Sequence, residues 1–170
     1  MIRPAQWLAV VRIAVGLYFV KSLVTKMSIA WVGGVLPVPA VSDRWVEVMP
    51  KIVARQAAEN PIAFYKEFLQ GTVLVHSELF AHLTAWGETI VGIGLTLGIF
   101  TGVASLVGLF MVTNYGLATQ WMSPGQQGFH LLLFVLMLAF FFARAGRTRG
   151  LDGRIAGAKP ESLLARRPLS

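Results

Sequence analysis

The chain has 170 residues, of which 55% are hydrophobic and only 14% are charged, and its formal net charge is +7. Because a soluble domain carries about 25% charged residues, this composition excludes an ordinary water-soluble fold and indicates a surface that faces lipid. The absence of cysteine excludes disulfides, thiolate metal sites and thiol-based catalysis. Much of the positive charge lies in the C-terminal tail, which favours membrane lipids, and not nucleic acid, as its partner.

The first predicted transmembrane helix covers residues 6–23, with Trp7 at one interface. It is short and contains Arg12 and Lys21, so it is the least hydrophobic of the predicted spans. Arg3 precedes it as in a signal peptide, but no clear small-residue cleavage site follows. The segment is therefore predicted to be an uncleaved first helix.

The region 27–79 is too charged to cross a bilayer and is predicted to be a long loop outside the membrane. Prolines divide it into short pieces at Pro37, Pro39, Pro50 and Pro61. Residues 51–59 and 62–70 have the pattern of short amphipathic helices at the membrane surface.

Between Glu88 and Arg144 the chain contains no Asp, Glu, Lys or Arg. A bilayer span needs about 20 mostly apolar residues, so this interval holds most of three spans. The predicted spans are 83–100, 103–119 and 129–143, with a tight hairpin at Thr101-Gly102. Small residues at four-residue spacing favour close helix packing; they are Gly94, Gly98 and Gly102, with Gly87 on nearly the same face.

Basic residues set the predicted orientation, because they are enriched on the cytoplasmic side of membranes. The predicted tail, 144–170, contains Arg144, Arg147, Arg149, Arg154, Lys159, Arg166 and Arg167, whereas the charges between the first two spans, counted from Lys26 to Glu78, balance. The sequence therefore predicts a single-domain, all-α membrane protein. It is a four-transmembrane-helix bundle with cytoplasmic termini and a long outward-facing loop containing short amphipathic helices.

Ionisable groups within spans cost a few kcal/mol each, so each requires a partner or a role. At about 1.5 Å per residue, a polar cluster is predicted in the outer half of the bundle. Its members are Lys21, Lys26, Glu88 and His130, approached by Asn114 and Tyr115. Arg12 lies in the inner half, so Lys21 or Lys26 is the expected partner of Glu88. A structural ion pair between two helices and a functional site both remain open.

Three segments resemble the DoxX/DoxD-like family of small four-helix membrane proteins. The exit of the last span, AGRTRGLDGRI (145–155), is similar to the family's Gly-Arg…Leu-Asp ending. GETIVGIGLTLGIFTGVA (87–104) resembles its Glu-led, glycine-rich helix, and RIAVGLYFVKSLVTKM (12–27) resembles its opening pattern.

The resemblance implies a bacterial or archaeal inner-membrane subunit of a quinone-linked oxidoreductase, in its best-known branch the large subunit of thiosulfate:quinone oxidoreductase. It implies quinone as the cofactor, with none bound covalently, and further membrane or peripheral redox subunits as partners. Glu88 and His130 become the candidate catalytic residues, which exchange the proton that quinone reduction requires. The candidate substrate- or quinone-binding residues are Lys21, Lys26, Arg12, Asn114 and Tyr115. No metal site is expected.

Two other functions remain in competition. A non-catalytic accessory subunit would dock partners through loop aromatics, namely Trp31, Trp45, Phe64, Tyr65 and Phe68. A transporter or channel is less supported, because the sequence contains no internal repeat.

Overall fold

The computed structural model describes residues 3–166 and 168–169, so Arg167 of the predicted tail lies outside the described residues. The elements, in chain order, are α1 (Pro4–Thr25), β1 (Met27–Val32), β2 (Leu36–Val41), α2 (Asp43–Ala58), α3 (Ala63–Phe68), a π-helix (Leu69–Val73), α4 (Ser77–Leu97), α5 (Thr101–Thr119), α6 (Pro124–Phe142), a 3-10 turn (Ala145–Arg147), α7 (Leu151–Ala158) and a second 3-10 turn (Leu163–Ala165).

Within the described part of the chain, three helices are long and apolar enough to cross a membrane, namely α1, α5 and α6. The expected second span corresponds to α4, a 21-residue helix that is not among these three. Helix α6 begins at Pro124, where the fixed φ of proline suits a first helical residue, and Ser123 caps it by accepting from the Gln126 N–H at 3.2 Å.

Helix α4 packs between α1 and α5 through small residues. A Cβ atom on Gly92 would lie 2.7 Å from the Val20 nitrogen of α1, and one on Gly94 would lie 2.6 Å from the Ala104 Cβ of α5. These distances leave room only for glycine, so the backbones approach closely. The core beneath them is formed by apolar side chains from all four long helices, including Phe19, Val91, Leu95, Val112, Met137 and Phe140.

The prediction of an all-α fold is wrong at residues 27–41, where β1 and β2 form an antiparallel hairpin. Gly33 and Gly34 both have positive φ at its tip, a conformation that glycine adopts without steric cost. Pro37 and Pro39 fall on alternate residues of β2, where their missing N–H groups point away from β1. The prolines therefore mark an edge strand and do not prevent strand formation.

Pro50 was predicted to divide the next segment, and this prediction is wrong. Helix α2 continues through Pro50 from Asp43 to Ala58. Ser42 caps this helix by accepting from the Trp45 N–H at 3.3 Å. Its buried residues follow helical spacing and pack towards α3, the π-helix and α4; they are Met49, Val53 and Ala57. This apolar face outweighs the roughly 3 kcal/mol cost of one interior proline.

The turn between α4 and α5 lies at residues 98–100 and not at Thr101-Gly102, which form the first turn of α5. Gly98 ends α4 with φ 64°, and Asp152 of α7 returns to this turn. The Asp152 N–H donates to the Gly98 carbonyl at 2.8 Å. The first half of the tail is therefore folded against the bundle. We call this end, which holds the N-terminus of α1, the inner end and the opposite one the outer end.

Candidate functional site

The candidate site at the outer end is built around Glu88, which lies in the middle of α4. Lys26, at the C-cap of α1, places its Nζ 2.6 Å from Glu88 Oε2. Tyr115 of α5 donates its hydroxyl hydrogen to Glu88 Oε1 at 2.8 Å. Both carboxylate oxygens are therefore engaged, by groups from two different helices. The Lys26 and Glu88 side chains are each 14% exposed, so the pair is only partly screened by water.

Trp45 of α2 closes the site at the outer end of the bundle. The Lys26 Nζ lies 4.2 Å from the centroid of the Trp45 ring, a distance at which a cation is attracted to the aromatic face. The Trp45 Nε1–H donates to the Ala81 carbonyl at 3.0 Å and to the Thr84 hydroxyl at 3.3 Å. These bonds hold α2 against α4 and hold the ring over the lysine.

A cavity of about 600 Å³, the polar cavity, opens beside this ion pair. Its charged lining residues are Lys21, Lys26, Arg44 and Glu88, so cations outnumber the single acid there. His130 of α6 also lines it. The His130 Nδ1 lies 2.7 Å from the Gln126 carbonyl, which can only accept a hydrogen bond, so Nδ1 carries the proton and Nε2 is the acceptor of the neutral ring.

A second cavity of about 630 Å³, the apolar cavity, lies between the α2–α3 region and the α4–α5 pair. Its lining is predominantly hydrophobic and includes Val53, Phe68, Leu69, Val73, Leu83 and Phe110. Three residues line both cavities, namely Lys26, Trp45 and Tyr115. The ion pair therefore lies where a polar space meets an apolar one.

Asn114, predicted for the polar cluster, lines the apolar cavity instead. Its carbonyl and its side-chain oxygen accept from the Tyr65 hydroxyl of α3, at 2.9 and 3.2 Å. Burial raises the pKa of Tyr65 to about 12, because the phenolate would lose its hydration. This contact fixes α3 to α5 and sets one wall of the cavity.

Arg12 lies towards the inner end of α1 and lines neither cavity. Its Nη1 donates to the Leu95 carbonyl, its Nη2 donates to the Arg149 carbonyl at 3.2 Å, and the Asp152 carboxylate supplies its counter-charge. The predicted placement of Arg12 away from Glu88 is therefore confirmed. Its predicted inclusion among the substrate- or quinone-binding residues is not supported by its position.

Lys26, and not Lys21, is the partner of Glu88. Lys21 is exposed and lines the polar cavity further along α1.

Sequence reasoning missed Arg44 and Trp45, because their distance from Glu88 depends on how the long loop folds back. The one available signal was Ser42. A serine at this position predicts a helix that begins directly after it, and Arg44 and Trp45 lie in the first turn of that helix.

His82 and His130 line different cavities, the apolar and the polar one respectively. In residues 3–166 and 168–169, no group of three or more His, Cys, Asp or Glu side chains is arranged to hold a metal ion.

A family model described as "TQO small subunit DoxD" matches residues 7–159, from α1 to the end of α7. The chain belongs to the DoxD family. It is accordingly a membrane protein. The family description names a small subunit, so the expectation of a large subunit is corrected to a small one. No curated protein matches the DoxD chain, and no solved structure matches it.

Proposed function

We propose that this DoxD chain is an integral membrane subunit of a thiosulfate:quinone oxidoreductase. We further propose that the quinone headgroup and the sulfur oxyanion meet at the outer cluster, which consists of Lys26, Trp45, Glu88, Tyr115 and His130. The observation that carries the proposal is the junction of the two cavities at Lys26, Trp45 and Tyr115, directly beside Glu88. A membrane quinone has an apolar tail and a polar head, so it requires such a junction.

The apolar cavity fits the isoprenoid tail. Its volume of about 630 Å³ lies within the range of about 300–1,000 Å³ for small-molecule sites, and hydrophobic residues dominate its lining. A headgroup at the Tyr115 end of this cavity would reach the Glu88 ion pair. The π-helix contributes Leu69 and Val73 to the wall, and such segments are frequent at functional sites.

The polar cavity fits a small dianion such as thiosulfate. Lys21, Lys26 and Arg44 supply positive charge around it, and the partly buried position of Lys26 strengthens its attraction for an anion. A quinone that accepts electrons must also take up protons. Glu88 is ionised in its pair with Lys26, so it is the candidate group for taking up a proton from water and passing it to the headgroup. His130, with its accepting Nε2, is the candidate for relaying that proton from water.

The test is thiosulfate-dependent reduction of a soluble quinone analogue by the complex purified with its native subunits in mild detergent. We expect Glu88→Gln to lower the rate by at least about 100-fold, the usual contribution of a positioned acid or base. Glu78→Gln is the matched control, because Glu78 is an exposed acid in the first turn of the same helix. A wild-type rate in Glu88→Gln would overturn the proposed role of the cluster.

We also propose that α4 is a fourth span and that both termini are cytoplasmic. Gly92 and Gly94 hold α4 against α1 and α5, two helices that are themselves apolar enough to span. The absence of native cysteine allows single-cysteine labelling without a background. An impermeant maleimide should label Ser28→Cys on intact bacterial cells and Lys159→Cys only after permeabilisation. The reverse pattern, or labelling of both on intact cells, would refute this topology.

A non-catalytic accessory role is favoured by one observation, the hairpin. Residues 27–42 contain no charged side chain, and Ile29, Trp31 and Val35 are exposed there by 66%, 62% and 81%. Pro37 and Pro39 block the outer edge of β2, whereas β1 keeps its outward N–H groups for an added strand. Of the five predicted docking aromatics, Trp31 and Phe64 are exposed, and Tyr65 is buried.

This alternative predicts that Trp31→Ser releases the stoichiometric partner subunits, whereas Phe64→Ser in α3 retains them. It also predicts that Glu88→Gln leaves the activity of the assembled complex unchanged. Retention of the partners by Trp31→Ser would reject the hairpin as the docking surface.

A further inference from the structure

A basic cleft lies at the inner end of the bundle, far from the outer cluster. It has a volume of about 670 Å³ and is lined by the last turn of α4 and by the folded start of the tail. Arg147, Arg149 and Arg154 are exposed on its wall, beside Thr96 and Leu97 of α4. Among the described residues, no acidic side chain lines it.

The arginines are carried by a fixed turn. The Arg149 carbonyl accepts from Arg12 Nη2 at 3.2 Å, and the Asp152 N–H donates to the Gly98 carbonyl at 2.8 Å. A Cβ atom on Gly150 or Gly153 would collide with backbone carbonyl oxygens, so the fold-back is closely packed. A preorganised set of cations binds an anion at a lower entropic cost than a flexible basic tail.

The one acid of this turn does not neutralise the cleft. Asp152 is 1% exposed, and its two carboxylate oxygens accept from the Phe100 and Thr101 N–H groups at 2.9 Å each. Its negative charge is directed towards the bundle interior and towards Arg12. The Arg149 and Arg154 side chains therefore face the cleft without an acidic partner among its described lining residues.

An apolar groove of about 430 Å³ runs along α4 and α5 on the face that leads to Leu97. Ile90 and Ile93 of α4 line it and are 48% and 41% exposed, and Leu97 at the cleft is 50% exposed. Residues three and four apart lie on one face of a helix, so these three side chains form a continuous apolar strip. The strip ends at the arginines.

We propose that the cleft binds the phosphate diester headgroup of an anionic phospholipid, with an acyl chain in the α4–α5 groove. The guanidinium groups of Arg149 and Arg154 match the phosphate, because arginine donates in a fork to its oxygens. Basic pockets beside membrane helices on the cytoplasmic side bind such headgroups. This site is separate from the outer cluster and does not depend on the proposed redox function.

The experiment is native mass spectrometry of the delipidated, detergent-purified chain titrated with dioleoyl phosphatidylglycerol or dioleoyl phosphatidylcholine. We expect one phosphatidylglycerol to bind at least about tenfold more tightly than phosphatidylcholine. The test variant is Arg149→Asn with Arg154→Gln, because Asn tolerates the φ of 51° at position 149. This double variant should bind phosphatidylglycerol no more tightly than phosphatidylcholine.

The matched control is Lys159→Gln with Arg166→Gln, which removes the same charge from exposed tail positions outside the cleft lining. It should keep the preference. An equal loss in both double variants would overturn the proposal in favour of diffuse charge attraction. A melting temperature for each variant separates loss of binding from loss of folding.

Two further arms test the source of the phosphate. Inorganic phosphate and glycerol phosphate should not compete with the lipid at equal concentration, and dihexanoyl phosphatidylglycerol should bind more weakly than the dioleoyl lipid, because its chains fill less of the groove. Competition by free phosphate would assign the cleft to a soluble anion and overturn the lipid assignment. A substitution in the groove, Ile93→Trp, should weaken binding of the dioleoyl lipid and leave the effect of Arg149→Asn unchanged.

Discussion

The Asp152 carboxylate accepts a hydrogen bond from the Thr101 backbone N–H at 2.9 Å, across 51 residues of sequence. Helix α5 begins with Phe100 as its N-cap, and Phe100 has no polar side chain to cap it. An acid from the tail therefore satisfies the free N–H groups at this helix start, where negative charge is favoured by the helix dipole. The C-terminal tail is in this way a structural part of the bundle.

Replacing this acid should destabilise the inner end. Asp152→Ala removes two hydrogen bonds and the counter-charge of the buried Arg12, so we expect the free energy of unfolding to fall by about 3 kcal/mol. Thermal denaturation in detergent measures this as a lower Tm. Glu161→Ala, at an exposed acid of the same tail, is the control and should leave the Tm unchanged.

The α1–α4 contact should tolerate no side chain at Gly92. A Cβ atom there would meet the Val20 nitrogen at 2.7 Å, and backbone cannot shift cheaply, so Gly92→Ala should cost about 1–3 kcal/mol of stability. At Gly128 of α6, a Cβ atom would meet no neighbouring group within 4 Å, so Gly128→Ala should be neutral or stabilising by up to about 1 kcal/mol. Equal melting temperatures for the two variants would contradict the close helix contact.

Stability should fall at high pH through Tyr65. Its pKa is about 12 in the folded chain and about 10 when unfolded, so the unfolded state loses its proton first. The contribution of Tyr65 is fully present below pH of about 10 and is lost as the pH rises towards about 12. Tyr65→Phe should cost about 1 kcal/mol at neutral pH, and this difference should disappear in the alkaline range.

The ultraviolet difference spectrum between the native chain and Tyr65→Phe isolates the tyrosinate of this residue. Its appearance near pH 10 would show that Tyr65 is accessible to water and would contradict the buried contact with Asn114.

The hydrogen bond from the Tyr115 hydroxyl should support the proposed role of Glu88 in quinone reduction. Tyr115→Phe removes the 2.8 Å hydrogen bond and keeps the ring, so we expect thiosulfate-dependent quinone reduction to fall by about tenfold, equivalent to about 1.4 kcal/mol. The effect should be smaller than that of Glu88→Gln. Tyr18→Phe, at another tyrosine that lines the polar cavity and is 53% exposed, is the control.

Hydrophobic segments were predicted well, and local turns were not. The span predicted at 129–143 lies inside α6 except for its last residue, and the one at 103–119 lies inside α5 and ends at the same residue. The hairpin of β1 and β2 was missed because alternate prolines were interpreted only as breaks. Pro50 was misassigned for a similar reason, since proline preferences are local and the apolar face of α2 packs against distant residues.

The glycine repeat was predicted as one packing face, but its members act differently. Gly94 packs against Ala104, whereas Gly98 ends α4 with a positive φ. Four-residue spacing identifies a shared face only while the helix continues, and the sequence did not mark where α4 ends.

The sequence by itself determined the apolar helices and predicted that Lys21, Lys26 and Glu88 lie near the same end of the bundle, because hydropathy and helical rise depend only on residue order. It did not identify Arg44. It left Lys21 and Lys26 as equal candidates. Only the tertiary structure showed that Lys26 pairs with Glu88, that the Trp45 ring lies against the Lys26 ammonium group and that Asn114 lines the apolar cavity. Those contacts join residues far apart in the chain, so they depend on how α2, α4 and α5 pack and not on any local pattern.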